Sequence, residues 1–198
     1  MDSSYDERTF WEARYARGGT SGAGSTGPEA AWKVEQILRA CQGRRIRSIL
    51  DLGCGDGAVG RAAMAGLPGA SYLGIDQAPS AVALCQAAAP LGAEYREGDL
   101  CAPGLPRADL VLCLDVLFHL QGQGRHDAAV AAICGAFRSL AVVAAWNERI
   151  VERYGDRFAA HTAYRPLVLP AGVRGNSTDL PMLPEKTLHV LTRARRAS

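Results

Sequence analysis

The stretch Arg47-Ser-Ile-Leu-Asp-Leu-Gly-Cys-Gly-Asp-Gly-Ala-Val-Gly60 decides the fold of this chain. Residues 46–52 form a short apolar run, which predicts a buried β-strand. Glycines at alternate positions follow it, and they predict a tight turn whose bare backbone a ligand can approach. Ala58–Ala65 predicts a helix whose first N–H groups face that turn. Strand, glycine loop and helix together form a cradle of the kind that binds nucleotides.

The charges of the glycine loop indicate which cofactor the cradle holds. Gly55-Asp-Gly57-Ala-Val-Gly60 fits G-x-G-x-x-G, the fingerprint of dinucleotide binding. However, Asp51 precedes the first glycine by two residues, and Asp56 lies inside the loop. A pyrophosphate favours N–H donors and is repelled by carboxylates, whereas a ligand with an ammonium and a sulfonium is attracted by them. The loop therefore favours S-adenosylmethionine (SAM) over NAD.

The segment Leu50-Asp-Leu-Gly-Cys-Gly-Asp-Gly57 resembles the first motif of class I SAM-dependent methyltransferases. The resemblance extends over residues 50–146 and implies SAM as the cofactor. It also implies an α/β fold, a Rossmann-like three-layer sandwich with a mostly parallel seven-stranded sheet. The loop residues expected to contact the cofactor are Asp51, Gly53, Cys54 and Gly55.

The second predicted strand, residues 70–75, ends at Asp76. A carboxylate at this strand tip can accept hydrogen bonds from both hydroxyls of a ribose. The alternative is a helix cap, because Ala78-Pro79-Ser80 is typical of a helix start. The spacing from the glycine loop favours ribose binding, and we expect Gln77 to line the same site.

The third predicted strand, residues 93–96, is followed by Glu97-Gly98-Asp99-Leu100. In the family, an acidic residue at this place bonds the adenine amino group, and the backbone N–H of the next residue bonds the ring. The resemblance therefore assigns adenine binding to Asp99 and Leu100.

The fourth predicted strand, Ala108–Leu114, precedes Asp115-Val-Leu-Phe-His-Leu120, which resembles the family's fourth motif. That motif faces the sulfonium and the methyl acceptor, so Asp115 is expected to contact the cofactor. Residues 115–120 lack the Asn/Asp-Pro-Pro-aromatic form of many DNA and glutamine N-methyltransferases, which argues against base methylation.

Two histidines are candidate general bases, since imidazole accepts protons near neutral pH. His119 follows the fourth strand, and His161 lies in a candidate acceptor loop, residues 160–165. A hydrogen-bonded structural histidine is the alternative for either residue. No ligand spacing in the sequence predicts a metal site.

The N-terminal segment combines aromatic residues with glycines. Trp11 and Tyr15 share one face if residues 9–17 are helical. The glycine-rich residues 18–27 then act either as a flexible linker or as the hinge of a lid over the cofactor. The aromatic residues favour the N-terminal helical lid, in which Trp11 and Tyr15 cover the cofactor.

Length and composition limit the remaining possibilities. The 198 residues fit one domain, with a lid and helix in 1–45, a cofactor-binding core in 46–146 and an acceptor-side segment with the last strand in 147–198. The net charge of +2 offers no bulk electrostatic case for nucleic acid or membrane. A polar start, unpaired cysteine spacing and the lack of a long apolar run predict a cytoplasmic protein.

These observations predict methyl transfer from SAM to an oxygen or nitrogen of a small molecule, in a setting such as specialised metabolism. An RNA or protein methyltransferase, a non-catalytic SAM-binding module and an NAD-dependent enzyme are the alternatives. The sequence leaves the acceptor and the choice between monomer and homodimer open.

Overall fold

A computed structural model of the chain describes residues 6–154 and 164–194. The helices are α1 Glu7–Ala16, α2 Gly27–Cys41, α3 Ala58–Ala65, α4 Pro79–Ala87, α5 Gly122–Ala136 and α6 Arg149–Tyr154. The strands are β1 Ser48–Leu52, β2 Ser71–Asp76, β3 Ala93–Glu97, β4 Ala108–Leu114, β5 Phe137–Trp146, β6 Val173–Leu180 and β7 Leu183–Arg193. The strands form one seven-stranded sheet in the order β3-β2-β1-β4-β5-β7-β6.

The sheet is covered by helices on both faces. Leu110 and Leu112 of β4 pack in one apolar cluster with residues of α2 and α3. Val111 and Cys113, which alternate with them, pack in a second cluster with residues of α5. Because successive strand side chains point to opposite faces, a strand buried on both sides is apolar throughout. This arrangement is the predicted α/β, Rossmann-like fold.

The sheet is mixed, and the prediction of a mostly parallel sheet is wrong in this respect. β1 pairs in parallel with β2 and β4, β2 with β3, and β4 with β5. β7 is antiparallel to β5, and β6 is antiparallel to β7. The last two strands are joined by a short turn, which only antiparallel neighbours allow, whereas parallel strands need a long crossover.

The sequence pattern does not predict β6. Its residues Val173–Leu180 are mostly polar and exposed, since the strand lies at the edge of the sheet. An edge strand needs no continuous apolar run, and polar side chains there discourage pairing with other chains. In the described ranges, no helix is long and apolar enough to cross a membrane.

Candidate functional site

All the predicted site residues in the described part of the chain line one cavity at the carboxyl edge of the parallel strands. They are Trp11, Tyr15, Asp51, Gly53, Cys54, Gly55, Asp76, Gln77, Asp99, Leu100, Asp115 and His119. The other predicted residue, His161, lies outside the described residues. The carboxyl ends of parallel strands share one edge of the sheet, so residues distant in sequence meet there.

Asp76 joins the end of β2 to the glycine loop. Its Oδ2 accepts a hydrogen bond from the Gly55 N–H at 2.9 Å, and its Oδ1 accepts one from the Ala78 N–H at 3.0 Å. Burial raises the pKa of Asp76, and these backbone hydrogen bonds oppose the increase. The contact with Ala78 matches the cap alternative, but each oxygen keeps a second lone pair that a ligand hydroxyl can use.

Asp51 lies buried below the glycine loop. Its Oδ2 accepts a hydrogen bond from the Tyr72 hydroxyl at 2.6 Å. A Cβ atom at Gly60 would lie 2.3 Å from both Asp51 Oδ2 and Tyr72 Oη. The final glycine of the apparent dinucleotide fingerprint is therefore required by this internal hydrogen bond, and no pyrophosphate is needed to explain it.

The electrostatics of Asp51 provide a test of whether the residues fit a cationic ligand. Burial raises the pKa of Asp51 to about 7, although the Tyr72 hydrogen bond opposes this increase. Within residues 6–154 and 164–194, Asp51 forms no ion pair. A buried carboxylate without a cation is costly, and a bound ammonium would lower that cost. The site therefore fits a ligand that carries an ammonium group.

Asp56 holds the segment after α1 against the glycine loop. Its Oδ2 accepts a hydrogen bond from the Ser21 N–H at 2.9 Å, and its own N–H donates to Ser21 Oγ at 2.9 Å. The Tyr15 hydroxyl lies 2.9 Å from the same Ser21 Oγ. A Cβ atom at Gly55 would lie 2.3 Å from Ser21 Oγ, so only glycine permits this close approach.

The aromatic face of α1 covers the cavity. The Trp11 ring meets the His119 ring edge-on at 4.9 Å between centroids. Glu12, on the same helix, accepts hydrogen bonds from the Ser80 N–H at 2.9 Å and the Ser80 hydroxyl at 2.6 Å, at the start of α4. The predicted helix is present and is held against the rest of the chain by these contacts.

Arg125 links α1 to the predicted adenine-binding region, and the sequence did not indicate this role. Its guanidinium pairs with buried Glu7 of α1 at 2.5 Å and with Asp99 at 2.9 Å. Burial raises the pKa of Asp99, but hydrogen bonds from Arg125 and from the Cys101 N–H outweigh this and hold the pKa below its usual range. Asp99 is therefore ionised and held in place at the cavity wall.

A second buried network, also missed from the sequence, surrounds Asp115. Lys33 contacts Asp115 and lies 2.9 Å from Glu29, while Lys186 lies 2.5 Å from Glu29 and 3.1 Å from Asp115. Asp115 itself adopts a left-handed backbone with φ of 61°. Lys33 and Lys186 are the only two lysines among the chain's 22 basic residues. Their rarity was the one sequence feature that could have drawn attention to them.

His119 ends a short helical turn, Leu117–His119, after β4. Its ring packs against Trp11 and lies 4.5 Å from the Phe118 ring centroid. It also lines the cavity, so an acceptor bound there could reach the imidazole. The placement is compatible with proton transfer and with a packing role.

Comparisons with known proteins show similarity in sequence and in fold. Residues 49–139 match a family model described as a methyltransferase domain. Among curated proteins, no sequence matches the chain significantly. The family match spans the glycine loop, Asp76, Asp99, Asp115 and His119.

Solved structures of similar fold include several methyltransferases. N-methyltransferase NodS from Bradyrhizobium japonicum WM9, in complex with S-adenosyl-L-homocysteine, gives a TM-score of 0.74 at 17% identity over 97% of this chain and 100% of that one. Magnesium protoporphyrin IX methyltransferase from Synechocystis PCC 6803 gives 0.61 at 17% over 98% and 90%. Human N-acetylserotonin methyltransferase gives 0.65 at 18% over 96% and 56%. At these identities the similarity shows the fold.

Proposed function

We propose that this chain, of which residues 49–139 match a methyltransferase domain, is a class I SAM-dependent methyltransferase that transfers a methyl group from SAM to an oxygen or nitrogen of a small molecule. SAM supplies a methyl group on a sulfonium, which is a good leaving group. The chain's own task is to orient the reactants and exclude water. In this proposal, residues 1–198 form one domain.

The observation that carries the proposal is the meeting of the predicted cofactor residues in one cavity beside the buried carboxylate of Asp51, which forms no ion pair with the described residues. In the proposed arrangement Asp51 balances the ammonium of the cofactor and Asp76 holds the ribose. Asp99 and the Leu100 N–H bind the adenine. Since carboxylates and N–H groups are supplied by different strand ends, the site is preorganised before the cofactor binds.

The acceptor is proposed to bind on the Asp115 and His119 side of the cavity. His119 would take the proton of a hydroxyl or protonated amine, and His161 remains a second candidate. The covering helix α1 leaves limited access, which favours a small acceptor over RNA or a folded protein. Proteins of similar fold include ones named as methyltransferases of N-acetylserotonin and of magnesium protoporphyrin IX, which also favours this class.

Isothermal calorimetry tests the cofactor assignment. SAM and S-adenosylhomocysteine should bind in the micromolar range, and NAD should give no heat. Asp51→Asn should weaken both ligands while the circular dichroism spectrum stays native. Heat from NAD without heat from SAM would overturn the proposal, and binding without transfer from labelled SAM to a metabolite panel would favour a non-catalytic module.

We also propose that α1 acts as a lid over the bound cofactor. Glu7, Glu12 and Trp11 hold it to three other elements, and these contacts can open without unfolding the sheet. Hydrogen exchange in residues 7–25 should slow when S-adenosylhomocysteine is added. Equal exchange with and without ligand would show that this segment is a static cover and does not act as a lid.

A further inference from the structure

The edge of the sheet opposite the cavity carries a row of arginines. β1, β4, β5 and β6 begin at this edge, and the antiparallel β7 ends there. Each of these strand ends has an arginine in or next to it, and one more follows α2. We call this set the arginine edge: Arg44, Arg47, Arg107, Arg138, Arg174 and Arg193.

These side chains are exposed, and none pairs with an acidic side chain of the described residues; the Arg193 guanidinium donates hydrogen bonds to the backbone carbonyls of Cys134 and Phe137. Arg44, Arg138, Arg174 and Arg193 line one surface hollow, in which Asp109 is the only acid among the described residues. Asp109 accepts a hydrogen bond from the Arg47 backbone N–H at 2.9 Å. In the described ranges, no member of the arginine edge forms an ion pair.

Several exposed arginines elsewhere pair with acidic residues. Arg39 pairs with Glu35 at 2.9 Å, Arg96 with Glu94 at 2.8 Å, and Arg149 with Asp179 at 2.9 Å. The arginine edge differs from these sites because it groups arginines that form no ion pair with the described residues. Grouped positive charges repel one another, and an anionic partner would relieve that repulsion.

We propose that the arginine edge binds the phosphate backbone of nucleic acid. The guanidinium fork matches phosphate oxygens and stays charged at all physiological pH values. Adjacent strands lie about 4.8 Å apart, so the row across β1, β4, β5, β7 and β6 extends over about 19 Å. A line of cations fits a linear polyanion, whose duplex form carries one charge per about 1.7 Å.

The chemistry of the hollow favours nucleic acid over a lipid surface. Among the described residues, its lining consists of arginines with Asp109, Ser139 and Thr192, so none of these offers an apolar side chain to enter a bilayer. None of these lining residues is aromatic and able to stack on a base, so the contacts should be independent of sequence. Because the cavity lies at the opposite edge, the bound nucleic acid is a partner and not the methyl acceptor.

Fluorescence anisotropy with a labelled, mixed-sequence DNA duplex tests the proposal. Binding at low salt should weaken as salt rises, with a log–log slope of about −4 if four phosphates are contacted. The variant Arg44→Gln/Arg138→Gln/Arg174→Gln should lose about tenfold or more in affinity, and its slope should flatten by about 3. Its circular dichroism spectrum and SAM binding should match those of the wild type.

The matched control is Arg39→Gln/Arg96→Gln/Arg149→Gln, which removes the same charge from paired positions. It should retain most of the DNA affinity. An equal loss of DNA affinity in both variants would show that binding depends only on net charge, and it would overturn the proposal. No binding at low salt would also overturn it, as would arginine-dependent binding to anionic phospholipid vesicles without binding to DNA.

Discussion

The two edges of the sheet differ in charge and in how those charges are held. At the carboxyl edge, Asp51, Asp76 and Asp99 accept hydrogen bonds from a tyrosine, backbone N–H groups and an arginine. At the amino edge, Arg138 and Arg174 are exposed and form no ion pair with a described residue. The net charge of +2 averages over these two surfaces and hides both. Composition therefore does not report how charge is distributed in a folded chain.

The difference also separates two kinds of binding. Fixed carboxylates in a covered cavity suit one small ligand in one orientation, because little reorganisation is needed. Exposed guanidinium groups on an open edge suit many phosphate positions of a polymer. Substitutions at the two edges test this difference between the two kinds of binding.

His119→Ala should have the largest effect. If His119 deprotonates the acceptor, turnover should fall by roughly 10²–10⁴-fold while SAM affinity is nearly unchanged. The pH–rate profile should also lose a limb near neutral pH. The control His189→Ala removes a histidine that bonds Ser177 at 2.8 Å in the β6–β7 hairpin, and it should keep its activity. A folded, active His119→Ala would show that no base is needed there and direct the test to His161.

Asp76→Ala should weaken SAM binding by about 1.5–3 kcal/mol, roughly ten- to hundredfold, because the ribose hydroxyls lose their acceptor. Calorimetry measures the change, and a thermal melt shows whether the fold persists. Asp109→Ala at the amino edge is the matched control and should bind SAM normally. Unchanged SAM affinity in folded Asp76→Ala would show that Asp76 serves only as a cap, through its contact with the Ala78 N–H.

The raised pKa of Asp51, about 7 through burial, makes stability depend on pH. The ordinary value in an unfolded chain is about 3.9, so the folded protein binds more protons between these values. The favourable contribution is complete below about pH 4 and is lost as pH rises through about 7. Between about pH 5.5 and about pH 7.5, the wild type should lose about 2 kcal/mol relative to Asp51→Asn.

Thermal melts of both proteins without ligand measure this difference. Saturating SAM should reduce it, since the ammonium stabilises the ionised carboxylate. Parallel pH profiles for the wild type and Asp51→Asn would contradict the assignment of a raised pKa to Asp51.

The smallest expected effect is on the amino edge. Arg138→Gln with Arg174→Gln should raise Tm by about 1–2 °C at low salt, because repulsion between like charges is reduced. High salt should abolish the difference through screening. The control Arg39→Gln with Arg149→Gln breaks ion pairs and should not raise Tm. A salt-independent change in Tm would show that these arginines act through packing and not through charge.

The sequence by itself determined the cofactor half of the molecule. The glycine loop, the helix Ala58–Ala65 and the strand Ala108–Leu114 were predicted with their observed bounds, because local rules govern them. A buried strand is mostly apolar, and a tight turn with positive φ favours glycine. Spacing from the glycine loop then placed Asp76, and the resemblance to the methyltransferase family placed Asp99, near neighbouring strand ends. These features depend on residues close together in sequence.

The tertiary structure alone decided the direction and place of the last strands, since polar β6 gives no periodic signal and its pairing is set by β7. It also joined Lys33 and Lys186, 153 positions apart in number, around one carboxylate. The arginine edge likewise depends on tertiary structure, because four strands begin and one strand ends on the same side of the sheet. Charges act through distance in space, and a sequence read in one dimension does not contain those distances.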